Sequence, residues 1–168
     1  MMVKIPIAML LSLVTVAGRA QDVTRPPADA TVRYVAQGVG VQIYACTAKA
    51  GSYVWVLQEP QADLLDAKTF APLGKHSKGP TWTWSDGSSI TGKVLQQQPS
   101  PDAAVNIPWL LLQTQSTGTS GALSDIAYVR RSDTDGGVAA TTGCNGQMVG
   151  ATSKIPYKAT YTFYSKSK

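Results

Sequence analysis

The chain of 168 residues has a single histidine, two cysteines and two phenylalanines, and only 15% of it is charged. One imidazole, His76, cannot build the copper or zinc sites that need several such ligands, so no metal and no cofactor is expected. No Gly-x-Ser-x-Gly segment occurs, which removes the nucleophile elbow of the α/β-hydrolases. Beyond residue 20 no apolar run reaches the roughly 20 residues a membrane-spanning helix needs, so no integral membrane association is expected. The basic residues are scattered rather than gathered into a stripe interleaved with aromatic rings, and nucleic acid is not an expected partner.

What is present begins with an export signal. Lys4 supplies a positive n-region, Ile5 to Ala17 is mostly apolar, and Gly18-Arg19-Ala20 puts small residues where a signal peptidase reads them. Residues 1–20 are therefore expected to be removed after Ala20, leaving a secreted or periplasmic protein. No cysteine stands at that point to carry a lipid anchor, and Arg19 alone does not make a twin-arginine signal. Loss of Lys4 and Arg19 lowers the net charge from +5 to +3. Residues 21–30, with Pro26-Pro27, read as an extended leader, 31–164 as one domain, and 165–168 as a basic tail carrying Lys166 and Lys168. In an oxidising compartment the two cysteines are expected to form one disulfide, Cys46 to Cys144.

Period-two alternation dominates the domain. Val39, Val41, Ile43 and Ala45 face one way along a half-buried strand, with Gln42, Tyr44 and Cys46 opposed. Tyr53 to Gln58 alternates again after the turn at Lys49-Ala50-Gly51-Ser52, which makes a hairpin. Residues 61–67, QADLLDA, suit either one helical turn or a short strand. Residues 74–93, GKHSKGPTWTWSDGSSITGK, hold the histidine, two of the four tryptophans and several turn signals. Gly74 to Gly79 reads as a loop carrying Lys75, His76 and Lys78. Trp82 and Trp84 share one face of the strand Thr81 to Trp84, and Asp86-Gly87 turns into a return strand from Ser89 to Leu95.

Gln96 to Pro101 reads as a surface loop, the run from Ile107 to Gln113 as a core strand, and Leu123 to Arg131 as a further strand. Ser132 to Gly146 reads as a long glycine-bearing loop. In the last strand Tyr157, Ala159, Tyr161 and Phe163 share a face. Seven or so strands without helical periodicity predict an all-β fold, a single antiparallel sandwich or barrel-like domain with one disulfide.

The segments Gly40 to Cys46, His76 with Gly79-Pro80-Thr81-Trp82, Asp86-Gly87-Ser88, Ile107-Pro108-Trp109-Leu110-Leu111, Arg131 with Thr134 and Gly136-Gly137, Gly143-Cys144 and Pro156 to Tyr161 fall in this order. Together they resemble a family of secreted domains of unknown function, numbered 3455, which includes bacterial exported proteins and fungal appressorium-specific proteins. Ala140 stands where that family's pattern has proline. The resemblance implies secretion and, in fungal relatives, a link to host penetration. It carries over no catalytic residue.

Five residues are candidates for a ligand site: His76, Trp82, Trp84, Asp86 and Arg131. A tryptophan face offers sugars a flat apolar surface, and its indole N–H adds a polar handle. Arginine is suited either to clamp a ligand or to anchor a buried carboxylate. Trp55 and Trp109, in apolar runs, are expected in the core. Asp133-Thr134-Asp135-Gly136 looks like the middle of a calcium loop, but Arg131 and Thr142 stand where acidic ligands are required, so a glycine turn is expected instead. The expected function is non-catalytic binding of a cell-wall or surface polymer such as a polysaccharide. The alternatives are a small secreted hydrolase using His76 and Asp86, or a structural envelope protein.

Overall fold

The computed structural model describes residues 21–118 and 120–166. The expected signal peptide lies outside the described residues. Eight strands follow in chain order: β1 (Ala30–Lys49), β2 (Ser52–Asp66), β3 (Pro72–Ser77), β4 (Thr81–Trp84), β5 (Ser89–Gln98), β6 (Trp109–Ser116), β7 (Ile126–Gly136) and β8 (Thr152–Lys166). Each pairs antiparallel with the next, and β8 returns to pair with β1, closing an up-and-down barrel rather than a sandwich. Closure leaves no free outer edge to the sheet as a whole.

Local chemistry sets several turns. Ala50 and Gly51, both at positive φ, form the two-residue turn that joins β1 to β2 across Lys49 and Ser52. Of the QADLLDA segment, Gln61 to Asp66 is strand, continuing β2 past Pro60, and Ala67 opens the turn. Pro60 is tolerated because β2 there has only β1 beside it, an edge-like setting. Gly74 to Gly79 is not a loop: Pro72 to Ser77 forms β3, and only Lys78, Gly79 and Pro80 make the turn. Gln96 to Gln98 extends β5 against Trp109 to Leu111. Ser132 to Gly136 likewise belongs to β7, with a bulge between Ser132 and Asp135 that accommodates the positive φ of Asp133.

The interior face of β1 carries the polar and small set. Gln42, Tyr44 and Cys46 are buried, while Val39 is 40% exposed. The lumen of an eight-stranded barrel is narrow and must be filled with alternating small and large side chains, and here glycine on one wall receives an aromatic ring from another. A Cβ on Gly92 would sit 2.9 Å from the Trp82 ring, and one on Gly38 would strike the ring of Tyr161. The rings form a continuous series. Tyr34 tilts against Trp84, Trp84 and Trp82 meet Phe163 edge-on, and His76 lies between Trp82 and Tyr161.

The two ends differ. At one, the connection between β6 and β7 folds inward so that Leu123 is fully buried. Asp86 accepts the Ala122 N–H at 2.8 Å and Ser88 Oγ accepts the Leu123 N–H at 3.2 Å, pinning that plug. At the other end the Cys46–Cys144 disulfide, closing a separation of 98 residues, ties the β7–β8 connection to β1. The leader packs outside: Asp22 bonds Arg130 at 2.7 Å, and Thr24 is fully buried. Ser165 and Lys166 continue β8.

Candidate functional site

The short β3–β4 hairpin creates the site. β3 pairs with β2 only from Ala62 to Leu65, and β4 pairs with β5 only from Ser89 to Thr91. The first half of β2 and the last half of β5 therefore run on past the hairpin tip with no strand between them. A cleft of about 370 Å³ opens there, beside the disulfide end of the barrel. Its walls are Leu57 to Pro60 of β2 and Val94 and Gln97 of β5, its sill is Gly79-Pro80, and its floor is formed by Gln42, His76, Trp82, Arg131 and Tyr161.

Strand parity brings the floor together. His76 and Trp82 are register partners on β3 and β4, so both side chains point to the same face, the lumen. Their rings stack with centroids 4.7 Å apart and planes 9° from parallel. His76 is buried, and its Nδ1 lies 2.9 Å from the Thr81 carbonyl oxygen. A carbonyl only accepts, so the proton sits on Nδ1 and Nε2 keeps the lone pair. Burial lowers the His76 pKa from 6.5 to about 4, opposed by the Thr81 bond and reinforced by the charge of Arg131. The imidazole is therefore neutral in ordinary conditions.

Arg131 is reached from β7, where it shares a face with Val129. Its Nε and one Nη donate to the Pro108 carbonyl at 3.1 and 2.8 Å, holding the segment that crosses the barrel end. The Tyr161 and Tyr157 hydroxyls are 3.1 Å apart, and Tyr44 donates to the Gly137 carbonyl at 2.6 Å. Burial raises the pKa of all three phenols, so they stay protonated. Two floor donors have no hydrogen-bond partner among the described residues: Gln42 Nε2 and Trp82 Nε1, each on a residue 1% exposed.

The five sequence candidates thus divide. His76, Trp82 and Arg131 meet in one cleft. Trp84 is buried deeper in the lumen against Phe163, and Asp86 belongs to the plug at the opposite end, its carboxyl held low by the N–H of Ala122 and by Ser88. The side chain of Trp82 is buried too, so it offers the cleft no open stacking face. The tryptophans expected in the core are not there: Trp55 lies half-buried, donating to the Thr142 carbonyl at 3.0 Å, and Trp109 lies under the Arg130 guanidinium. Gln42, which lines the same cleft, is not among the five. Its signal was a long polar side chain between Gly40 and Tyr44 in an otherwise apolar strand. Among the described residues no three His, Cys, Asp or Glu side chains gather as metal ligands. Among the described residues no helix is long and apolar enough to cross a membrane.

The closed meander and its one-sided cleft define a small up-and-down β-barrel with a polar floor at its open end. Over residues 27–165 the chain matches the family described as Protein of unknown function (DUF3455), and it belongs to that family. No curated protein and no solved structure matches it.

Proposed function

We propose that the protein is a secreted or periplasmic, non-catalytic module that binds a cell-wall or surface polymer, such as a carbohydrate, through the cleft between β2 and β5. The observation that carries this is the pair of buried, unpartnered donors, Gln42 Nε2 and Trp82 Nε1, on the floor of one cavity. An unsatisfied buried donor costs about 1–3 kcal/mol, and two in one place call for a ligand that brings acceptors. Sugar hydroxyl and ring oxygens are such acceptors, and Leu57, Pro60 and Pro80 offer apolar contact to C–H faces. At about 370 Å³ the cleft is near the small end of ligand sites and suits a chain end or branch.

Hydrolysis is less well supported. Asp86 is engaged by the Ala122 N–H and by Ser88 and does not line the cleft with His76, and the cleft walls carry one carboxylate, Glu59, where a glycosidase pair needs two. The disulfide and the N-terminal export pattern support placement outside the cytoplasm.

Retention of the purified protein on a panel of insoluble cell-wall polysaccharides tests the proposal. Binding is expected on at least one polymer and is expected to be lost in Gln42→Leu while circular dichroism shows an intact fold. Unchanged retention in that variant would remove the cleft from the explanation. Release of soluble sugar would turn the reading to a hydrolase, and neither retention nor release on any polymer would leave the structural role.

A further inference from the structure

We infer that the cleft selects an acidic sugar, a hexuronate residue of a polysaccharide, with its carboxylate on Arg131 and its ring oxygens on the Gln42 and Trp82 donors. This rests on the binding reading above and names its ligand class.

The argument begins with charge. A guanidinium stays ionised throughout the range in which proteins are stable, and taking one partly out of water is costly unless an anion accompanies it. Arg131 is only partly exposed, and its hydrogen-bond partners, the Pro108 carbonyl and the Tyr161 hydroxyl, are both neutral. The ion pairs among the described residues are formed by Arg33, Lys75 and Arg130. Around Arg131 stand neutral groups: the three phenols Tyr44, Tyr157 and Tyr161, and the imidazole of His76. All four feel its positive charge. Two N–H groups on Pro108 and one toward Tyr161 still leave guanidinium donors over from the five for a carboxylate.

Glu59 is the one carboxylate lining the cleft, and it stands on the β2 wall without forming an ion pair to Arg131. There it can accept from sugar hydroxyls, which neither Gln42 Nε2 nor Trp82 Nε1 can do. A ligand bearing one carboxylate, several hydroxyls and a C–H face uses every group in the cleft. A neutral sugar leaves the guanidinium without a counter-ion, and a simple carboxylate leaves the two buried N–H donors unmet.

Isothermal titration of the mature protein with oligogalacturonate, oligomannuronate, the methyl esters of both, and neutral galactan oligosaccharides of equal length tests this. At least one acid is expected to bind about tenfold more tightly than its own methyl ester, which keeps the shape and removes the charge. Arg131→Gln should bring the acid down to the affinity of the ester and leave the ester unchanged. Should that variant fail to fold, Glu59→Gln serves instead, since removing the rim carboxylate should widen the preference for the acid. Equal affinity of acid and ester, or preference for the neutral oligosaccharide, would overturn the acidic class and leave polymer binding standing. Binding of none of these sugars, with the wild-type protein retained on a neutral polymer, would overturn it equally; no retention on any polymer would overturn both readings.

Discussion

His76 and Trp82 lie face to face, ring centroids 4.7 Å apart, at the point where the β3–β4 hairpin stops and the cleft begins. The contact joins the aromatic filling of the barrel to the polar floor above it. It also makes a histidine part of the core, with consequences that can be measured.

The first concerns pH. Burial sets the His76 pKa at about 4 in the folded protein, against 6.5 as its ordinary value. Between those values the unfolded chain takes up a proton that the folded state refuses. Stability is therefore fully present above about pH 6.5 and falls as pH drops toward 4, by roughly 3 kcal/mol in total. Urea unfolding of wild type and His76→Phe at pH 7 and 4.5 checks this. The wild type should lose more stability than the variant, and equal losses would show that the folded state accepts the proton.

Gly74 and Gly40 should tolerate no side chain. A Cβ on Gly74 would overlap the Thr83 carbonyl oxygen, and one on Gly40 the Gln61 carbonyl oxygen and Ala62 Cα, so backbone must move. Gly74→Ala and Gly40→Ala are each expected to cost about 1–3 kcal/mol or more by chemical denaturation. A cost under about 0.5 kcal/mol would show that neighbouring strands do not approach so closely.

The disulfide should matter through the chain it closes. Cross-linking positions 98 residues apart is expected to stabilise by about 4–5 kcal/mol through the unfolded state. The double variant Cys46→Ala, Cys144→Ala should lose a large part of that in guanidinium denaturation. Mass measurement after alkylation without reductant should find no modified thiol in the wild type.

Gln42→Leu should raise stability while removing binding. Exchanging a buried unpartnered amide for an apolar side chain of similar size relieves a desolvation cost, and a gain of about 1 kcal/mol in unfolding free energy is expected. Destabilisation by a similar amount would mean that the amide has a partner in the folded protein.

Much of this protein was determined by its sequence alone. Alternation around Tyr44, Val56, Trp82 and Tyr161, punctuated by Ala50-Gly51 and Asp86-Gly87, settles an all-β chain of hairpins, because period two and positive-φ turns are local properties. The pairing of two lone cysteines follows from counting. His76, Trp82 and Arg131 are residue types that carry chemistry, and the fold brings them into one cleft. What the tertiary structure decided is which face looks inward and which distant residues meet. Alternation cannot say whether Val39 or Gln42 is inside, and burying Gln42, Tyr44 and Cys46 depends on a lumen too narrow for anything but interlocking rings, glycines and a few polar groups. The same closure puts Asp86 and His76 at different levels of the barrel although ten positions separate them in the chain. It joins Gln42 of β1 to Arg131 of β7 in one cavity because a hairpin between other strands is short. That shortness is visible in the sequence only as Gly79-Pro80, and its effect exists only once eight strands have closed.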